Sequence, residues 1–112
     1  MSGITTHVLD MAKGIPAKGM RLKLQYFSHN EEFEDLNSKM TNEDGRVPDL
    51  LETPLKKGVY RLIFQTGDYY KSLGEKCFYP EATIVFNIEN EDQHHHVPLL
   101  ISGFGYSTYR GS

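Results

Sequence analysis

The chain reads as an all-β protein, a two-sheet antiparallel sandwich of about eight strands with one short helix. Three observations predict this. Apolar and polar residues alternate with a period of two along most of the ordered-looking runs. Turn-forming residues break those runs at short intervals. One stretch alone has helical features, and it is too short to carry a fold.

The elements follow in order. "ITTHVLD" is a short β-branched run in which His7 shares a face with Thr5 and Leu9. "KGIPAKG" reads as the link to "MRLKLQYF", where Met20, Leu22, Leu24 and Tyr26 face one way and Arg21, Lys23 and Gln25 the other. "EEFEDLNSKM" is a further strand with a weak pattern, and "NEDG" makes a tight Asp-Gly turn before Arg46. After "TPLKKG", the run "VYRLIFQT" puts Tyr60, Leu62 and Phe64 on one face. "DYYKSLGE" is the helix, with Asp68 as its N-cap and Gly74 as its stop. "ATIVFNIE" aligns Ala82, Ile84, Phe86 and Ile88; "HHHVPLLIS" and "YSTYR" are two more strands around Gly103-Phe104-Gly105. No internal repeat or low-complexity segment is present.

Composition narrows the function. With 112 residues the chain suits one domain over 1–112, since domains cluster near ~100–150 residues. A formal net charge of −3 with scattered basic residues gives no electrostatic case for nucleic acid. No apolar run approaches the ~20 residues that crossing a membrane requires. Cys77 is the only cysteine, which excludes an intrachain disulfide and favours a reducing compartment. "MSGITTHVLD" lacks the basic and apolar regions of a secretory signal, and the terminal Arg-Gly-Ser is not a peroxisomal address. The expectation is cytoplasmic, or peroxisomal for a eukaryotic protein with an unseen targeting segment.

Few local motifs carry chemistry. There is no Gly-x-Ser-x-Gly elbow, no Walker-type phosphate loop, and no calcium-loop order of oxygen ligands in "DLNSKMTNEDG". On an extended strand His94 and His96 point to one face and His95 to the other. Such a pair can hold zinc only with further ligands, for which His7 and His29 are the candidates. The plainer reading of the triple histidine is a surface strand with polar imidazoles. Taken alone, His7 suits a hydrogen-bonded structural role and Arg46 a solvated one.

The segments "ITTHVLD", "GIPAKGMRLKL", "TNEDGR", "GVYRLIFQTGDYY", "CFYPEATIVF", "HHHVPLL" and "YSTYRGS" occur in this order. Together they resemble the 5-hydroxyisourate hydrolase family, the enzymatic branch of the transthyretin-like proteins, from about Ile4 to Ser112. The terminal "YRGS" with "H-x-H-V-P-L" is the specific part, because the hormone-carrying transthyretins lack that tail. The resemblance implies a transthyretin-like sandwich with its helix after the fifth strand. It also implies a homotetramer around a central channel, with sites at the subunit interface. By position it implies catalytic roles for His7, Arg46 and His96. It further implies substrate-binding roles for Arg46, Tyr109 and Ser112, with Arg110 in support, and neither metal nor other cofactor. The family commonly has tyrosine where this chain has His95; because that residue faces away from His94 and His96, the change is expected to be tolerated.

The implied reaction is hydrolytic opening of the ring amide of 5-hydroxyisourate, in urate breakdown. Water needs a general base, and imidazole, with a reference pKa of ~6.5, suits that task. His7 and His96 are the expected pair, in either order, and the planar fork of Arg46 suits carbonyl oxygens or a developing oxyanion. The main alternative is a non-enzymatic transthyretin-like tetramer that binds an apolar small molecule in its channel. A zinc hydrolase built on His94 and His96, and a structural adhesion sandwich, are further alternatives.

Overall fold

A computed structural model of the chain, which describes residues 3–111, has two packed sheets and one helix. The first sheet is organised on β1 (Ile4–Asp10). One side of β1 pairs with β8 (His95–Ser102), which continues to β9 (Gly105–Thr108). The other side is shared by two short strands, β2 (Ile15–Pro16) against Leu9 and Asp10, and β5 (Arg46–Val47) against Thr6 and His7. The second sheet runs in the order β4 (Phe33–Met40), β3 (Arg21–Phe27), β6 (Gly58–Phe64), β7 (Ala82–Ile88). Helix α1 (Thr66–Ser72) follows β6.

The period-two patterns become the core. Ile4 and Val8 from β1, Leu99 and Ile101 from β8, Leu22 and Leu24 from β3, and Tyr60, Leu62 and Phe64 from β6 are all buried in one cluster. Burying each large side chain contributes on the order of 1.5–3 kcal/mol. The Tyr60 ring stacks on Phe86 at 5.8 Å between centroids and meets the edge of Tyr26 at 4.9 Å. β4 is exposed along most of its length because it is an edge strand, which explains its weak alternation.

Three features differ from the sequence-based expectation. The ladder between β1 and β8 is parallel, whereas the others are antiparallel. These two strands are separated by most of the chain, so no hairpin constrains their direction. Ile15–Pro16 and Arg46–Val47 each form a short strand rather than a plain link or turn, so the helix follows the sixth strand and not the fifth. The helix also begins earlier than Asp68. Gln65 occupies the N-cap without a side-chain cap, and Asp68 lies in the first turn, where its charge complements the helix dipole.

Tertiary contacts fix that start: Thr66 Oγ1 donates to the Tyr79 carbonyl at 2.7 Å, and Gly67 N–H to the Pro80 carbonyl at 2.8 Å. The predicted stop holds. Gly74, at φ +71°, donates to the Lys71 carbonyl, and Glu75 N–H to that of Tyr70, the double bond of a Schellman cap. The helix is tied back to β1 through Asp10, whose buried carboxylate accepts from the Tyr69 hydroxyl at 3.2 Å. Burial, then the Asp10 charge, pushes the Tyr69 hydroxyl up to about 12. Among the described residues no helix is long and apolar enough to cross a membrane.

Candidate active site

Strand register assembles the site. In β1 the buried residues alternate with Thr5, His7 and Leu9, which face away from the core. Directly paired residues on neighbouring strands share a face. Thr5 pairs with His96 across the parallel ladder, and His7 pairs with Arg46 across the antiparallel one. Arg46, His7, Thr5 and His96 therefore occupy one outer face of the first sheet, although up to 91 positions separate them in the chain.

Each side chain has a local reason for its place. Arg46 leaves a turn closed on Asn42, whose Oδ1 accepts from Asp44 N–H at 2.9 Å and Arg46 N–H at 3.0 Å. Asn42 N–H donates to the Arg46 carbonyl at 2.9 Å, so the turn grips Arg46 through both of its backbone groups. Gly45 carries φ +73°, and its carbonyl accepts from Val8 N–H at 2.7 Å. A Cβ there would stand 2.4 Å from the Val8 carbonyl oxygen, so only glycine lets the turn dock against β1 and deliver Arg46 beside His7. The guanidinium is exposed and has no carboxylate partner among the described residues, leaving its donor fork available.

The C-terminal segment is stitched to His96. Gly111 N–H donates to the His96 carbonyl at 2.9 Å, and Thr108 Oγ1 to that of Pro98 at 2.7 Å. Arg110 Nη2 donates to Gln93 Oε1 at 3.0 Å. The approach at Gly111 is tight, since a Cβ would lie 2.6 Å from Cδ2 of the His96 ring. On the other edge of that ring, Thr5 Oγ1 lies 2.9 Å from Nδ1, and the same oxygen lies 2.9 Å from Nε2 of His94.

Burial, followed by the charges of Arg46, His7 and His94, holds the His96 imidazole below its ordinary pKa, with the Thr5 backbone weakly opposing. The ring is thus neutral at pH 7, able to act as a base or as a neutral donor. His95 points the other way, into the interior, and is only 6% exposed. Desolvation and the neighbouring Arg110 charge also lower its pKa. The triple histidine is therefore not a plain surface strand.

His7, Arg46 and His96 lie on one face of the first sheet. Tyr109 lines a cavity of about 340 Å³ along the open edges of β7 and the C-terminal segment; its walls include His96 but neither His7 nor Arg46. Ser112 lies outside the described residues. Thr5, Asn42 and Gly111 were not singled out from sequence. Thr5 was the most accessible of the three, because alternation already put it on the face of His7. Among the described residues no three His, Cys, Asp or Glu side chains are grouped to hold a metal ion.

The model of the HIUase/Transthyretin family matches residues 4–111. The chain belongs to this family. Within it, sequence similarity runs to 5-hydroxyisourate hydrolases. The 5-hydroxyisourate hydrolase of Mus musculus is 47% identical, over 99% of this chain and 96% of the mouse protein. Among solved structures, the 5-hydroxyisourate hydrolase of Klebsiella pneumoniae superposes with a TM-score of 0.86 at 36% identity, covering 97% of this chain and 92% of that one. Sea bream transthyretin in complex with thyroxine superposes with a TM-score of 0.93 at 28% identity, covering 98% and 95%. Backbone shape does not separate the two branches. Sequence identity favours the hydrolases.

Proposed function

We propose that this chain hydrolyses 5-hydroxyisourate in urate degradation, opening the ring amide to 2-oxo-4-hydroxy-4-carboxy-5-ureidoimidazoline. The observation that carries the reading is the shared outer face, with His7 against Arg46 and Thr5 against His96. The identity to relatives named for that activity supports it. Water adds to the ring carbonyl while one imidazole of the His7/His96 pair takes its proton. The carbon–nitrogen bond then breaks, and the leaving nitrogen receives a proton from the pair. Arg46 binds the substrate's carbonyl oxygens and stabilises the oxyanion that develops on them. Tyr109 and Ser112 complete the substrate-binding wall.

Residues 1–112 work as one domain, and the site is completed in a homotetramer. Support comes from the sheet edges: β7 and β9 are both terminal strands, and the 340 Å³ groove running beside them is lined by Ile84, Val85 and Tyr109. Val85 and Tyr109 are 57% and 59% exposed, an arrangement suited to cover by a second copy. The lone Cys77 suits a reducing compartment such as the cytoplasm. The closeness of the backbone to thyroxine-bound transthyretin favours a second reading as a carrier. Its weakness is chemical: an apolar ligand gains little from a face bearing Arg46, His7 and His96.

The test is an ultraviolet assay in which urate oxidase generates 5-hydroxyisourate and its decay is followed with and without the protein, in the presence of a strong chelator. Acceleration is expected. Decay at the uncatalysed rate with folded protein would reject the hydrolase reading in favour of the carrier.

A further inference from the structure

Thr5 stands between two imidazoles, with its Oγ1 2.9 Å from His94 Nε2 and 2.9 Å from His96 Nδ1. A hydroxyl has one proton, so it donates to one ring and accepts from the other. Two orders satisfy all three groups. In the first, His94 Nε2–H donates to Thr5 Oγ1, whose proton goes to a bare His96 Nδ1. In the second, His96 Nδ1–H donates to Thr5 Oγ1, whose proton goes to a bare His94 Nε2.

We infer that Thr5 and His94 are positioning residues that hold the first order, fixing the His96 proton on Nε2 so that His96 serves as a neutral hydrogen-bond donor and His7 as the base. The catalytic half of this inference rests on the hydrolase reading above. Neutral imidazole by itself prefers the proton on Nε2, and the first order gives both rings that tautomer, whereas the second gives neither. Protonating His94 enforces the same order, because an imidazolium can only donate. The hydrogen bond at one ring nitrogen decides what the other presents. The packing agrees: Nδ1 is occupied by Thr5, and Gly111 closes on the Cδ2 edge, restricting rotation of the ring.

The groups facing His96 are the Arg46 guanidinium from β5, His7 from β1 and His94 from its own segment, and positive charge on any of them disfavours a second proton on the ring. A neutral donor of this kind polarises a carbonyl without losing its proton. His7 then takes the proton from water and returns it to the leaving nitrogen, which closes the proton balance with no further acid.

The experiment is long-range proton–nitrogen correlation NMR on the full protein labelled at its histidine ring nitrogens, with His96 assigned by its loss in His96→Gln. Spectra are taken above pH 7, where imidazole, with a reference pKa of ~6.5, is uncharged. His96 is expected to show a protonated Nε2 and a bare Nδ1. Thr5→Val, close in shape but without the hydroxyl, should mix the tautomers and lower kcat on the order of 10–100-fold with little change in KM, as for other partners that orient a ring. Thr5→Ser should restore the single tautomer. His94→Phe, at an exposed position, provides the same test if Thr5→Val does not fold. A proton on His96 Nδ1 in the wild type, or a spectrum unchanged by removing either partner, overturns the inference. A fixed Nε2–H tautomer with full turnover in His96→Ala would instead reject the hydrolase role of His96 and leave the tautomer assignment standing.

Discussion

His95 and His96 are adjacent in the chain but differ in what the sheet does with them. Strand alternation made that legible, since neighbouring residues must face opposite ways. What alternation could not tell is how completely His95 is enclosed: its Nδ1 is buried with no hydrogen-bond partner among the described residues. Both rings have pKa values lowered by desolvation, so between those values and the ~6.5 of the unfolded chain the unfolded state binds more protons. Stability is therefore fully present above pH ~6.5 and falls as the pH drops through that window. Thermal melts are expected to show a lower Tm at about pH 5 than at about pH 7.5, before the carboxylates, with reference values of ~3.9–4.3, begin to protonate. His95→Phe should flatten that slope and, by removing a buried polar atom without a partner, stabilise the fold by about 1 kcal/mol. An unchanged slope in this variant would show that His95 is not the responsible group.

β1, β3, β6 and β7 were readable as elements because each buries one face, and a one-residue shift would expose the whole apolar set. β2 and β5 were not, since two residues are too few to show a period. The partnership of β1 with β8 was also hidden: no local turn announces a pairing between strands at opposite ends of the chain. The resemblance supplied the company of His7, Arg46 and His96, and the register supplies its physical cause. The helix start escaped for a related reason, as Tyr79 and Pro80 set it rather than a side-chain cap.

At this scale the segment joined to β8 by Gly111 makes its own prediction. Gly111→Ala would put a methyl carbon 2.6 Å from the His96 ring, so the ring or the segment must shift. Because the described residues after β9 contribute nothing to the buried core cluster, Tm should change little while kcat falls about tenfold or more, the scale on which small misplacements act. A variant with wild-type kcat would mean that the position of the segment does not matter to the reaction. Gly45→Ala should behave differently: at φ +73° and 2.4 Å from the Val8 carbonyl, it should lose stability by about 1–2 kcal/mol from backbone strain alone, together with activity. Denaturant unfolding and the decay assay distinguish the two variants.

For the whole molecule, the terminal strands β7 and β9 and the groove beside them leave apolar surface that a single copy does not cover. Light scattering coupled to size exclusion is expected to give a mass about four times the 12.8 kDa of the chain; a monomer with full activity would show that one chain is sufficient. The central claim is that His7 and His96 act as a unit on one sheet face. Its most direct test is the 5-hydroxyisourate decay rate of His7→Ala, His96→Ala and the double variant, each confirmed folded. Loss of an aligned acid–base group costs on the order of 10²–10⁴-fold, and groups acting as a unit are not additive. Each single variant should therefore lose that much, and the double variant little more than the worse single. Wild-type turnover in either single variant, or losses that multiply in the double, would contradict the account.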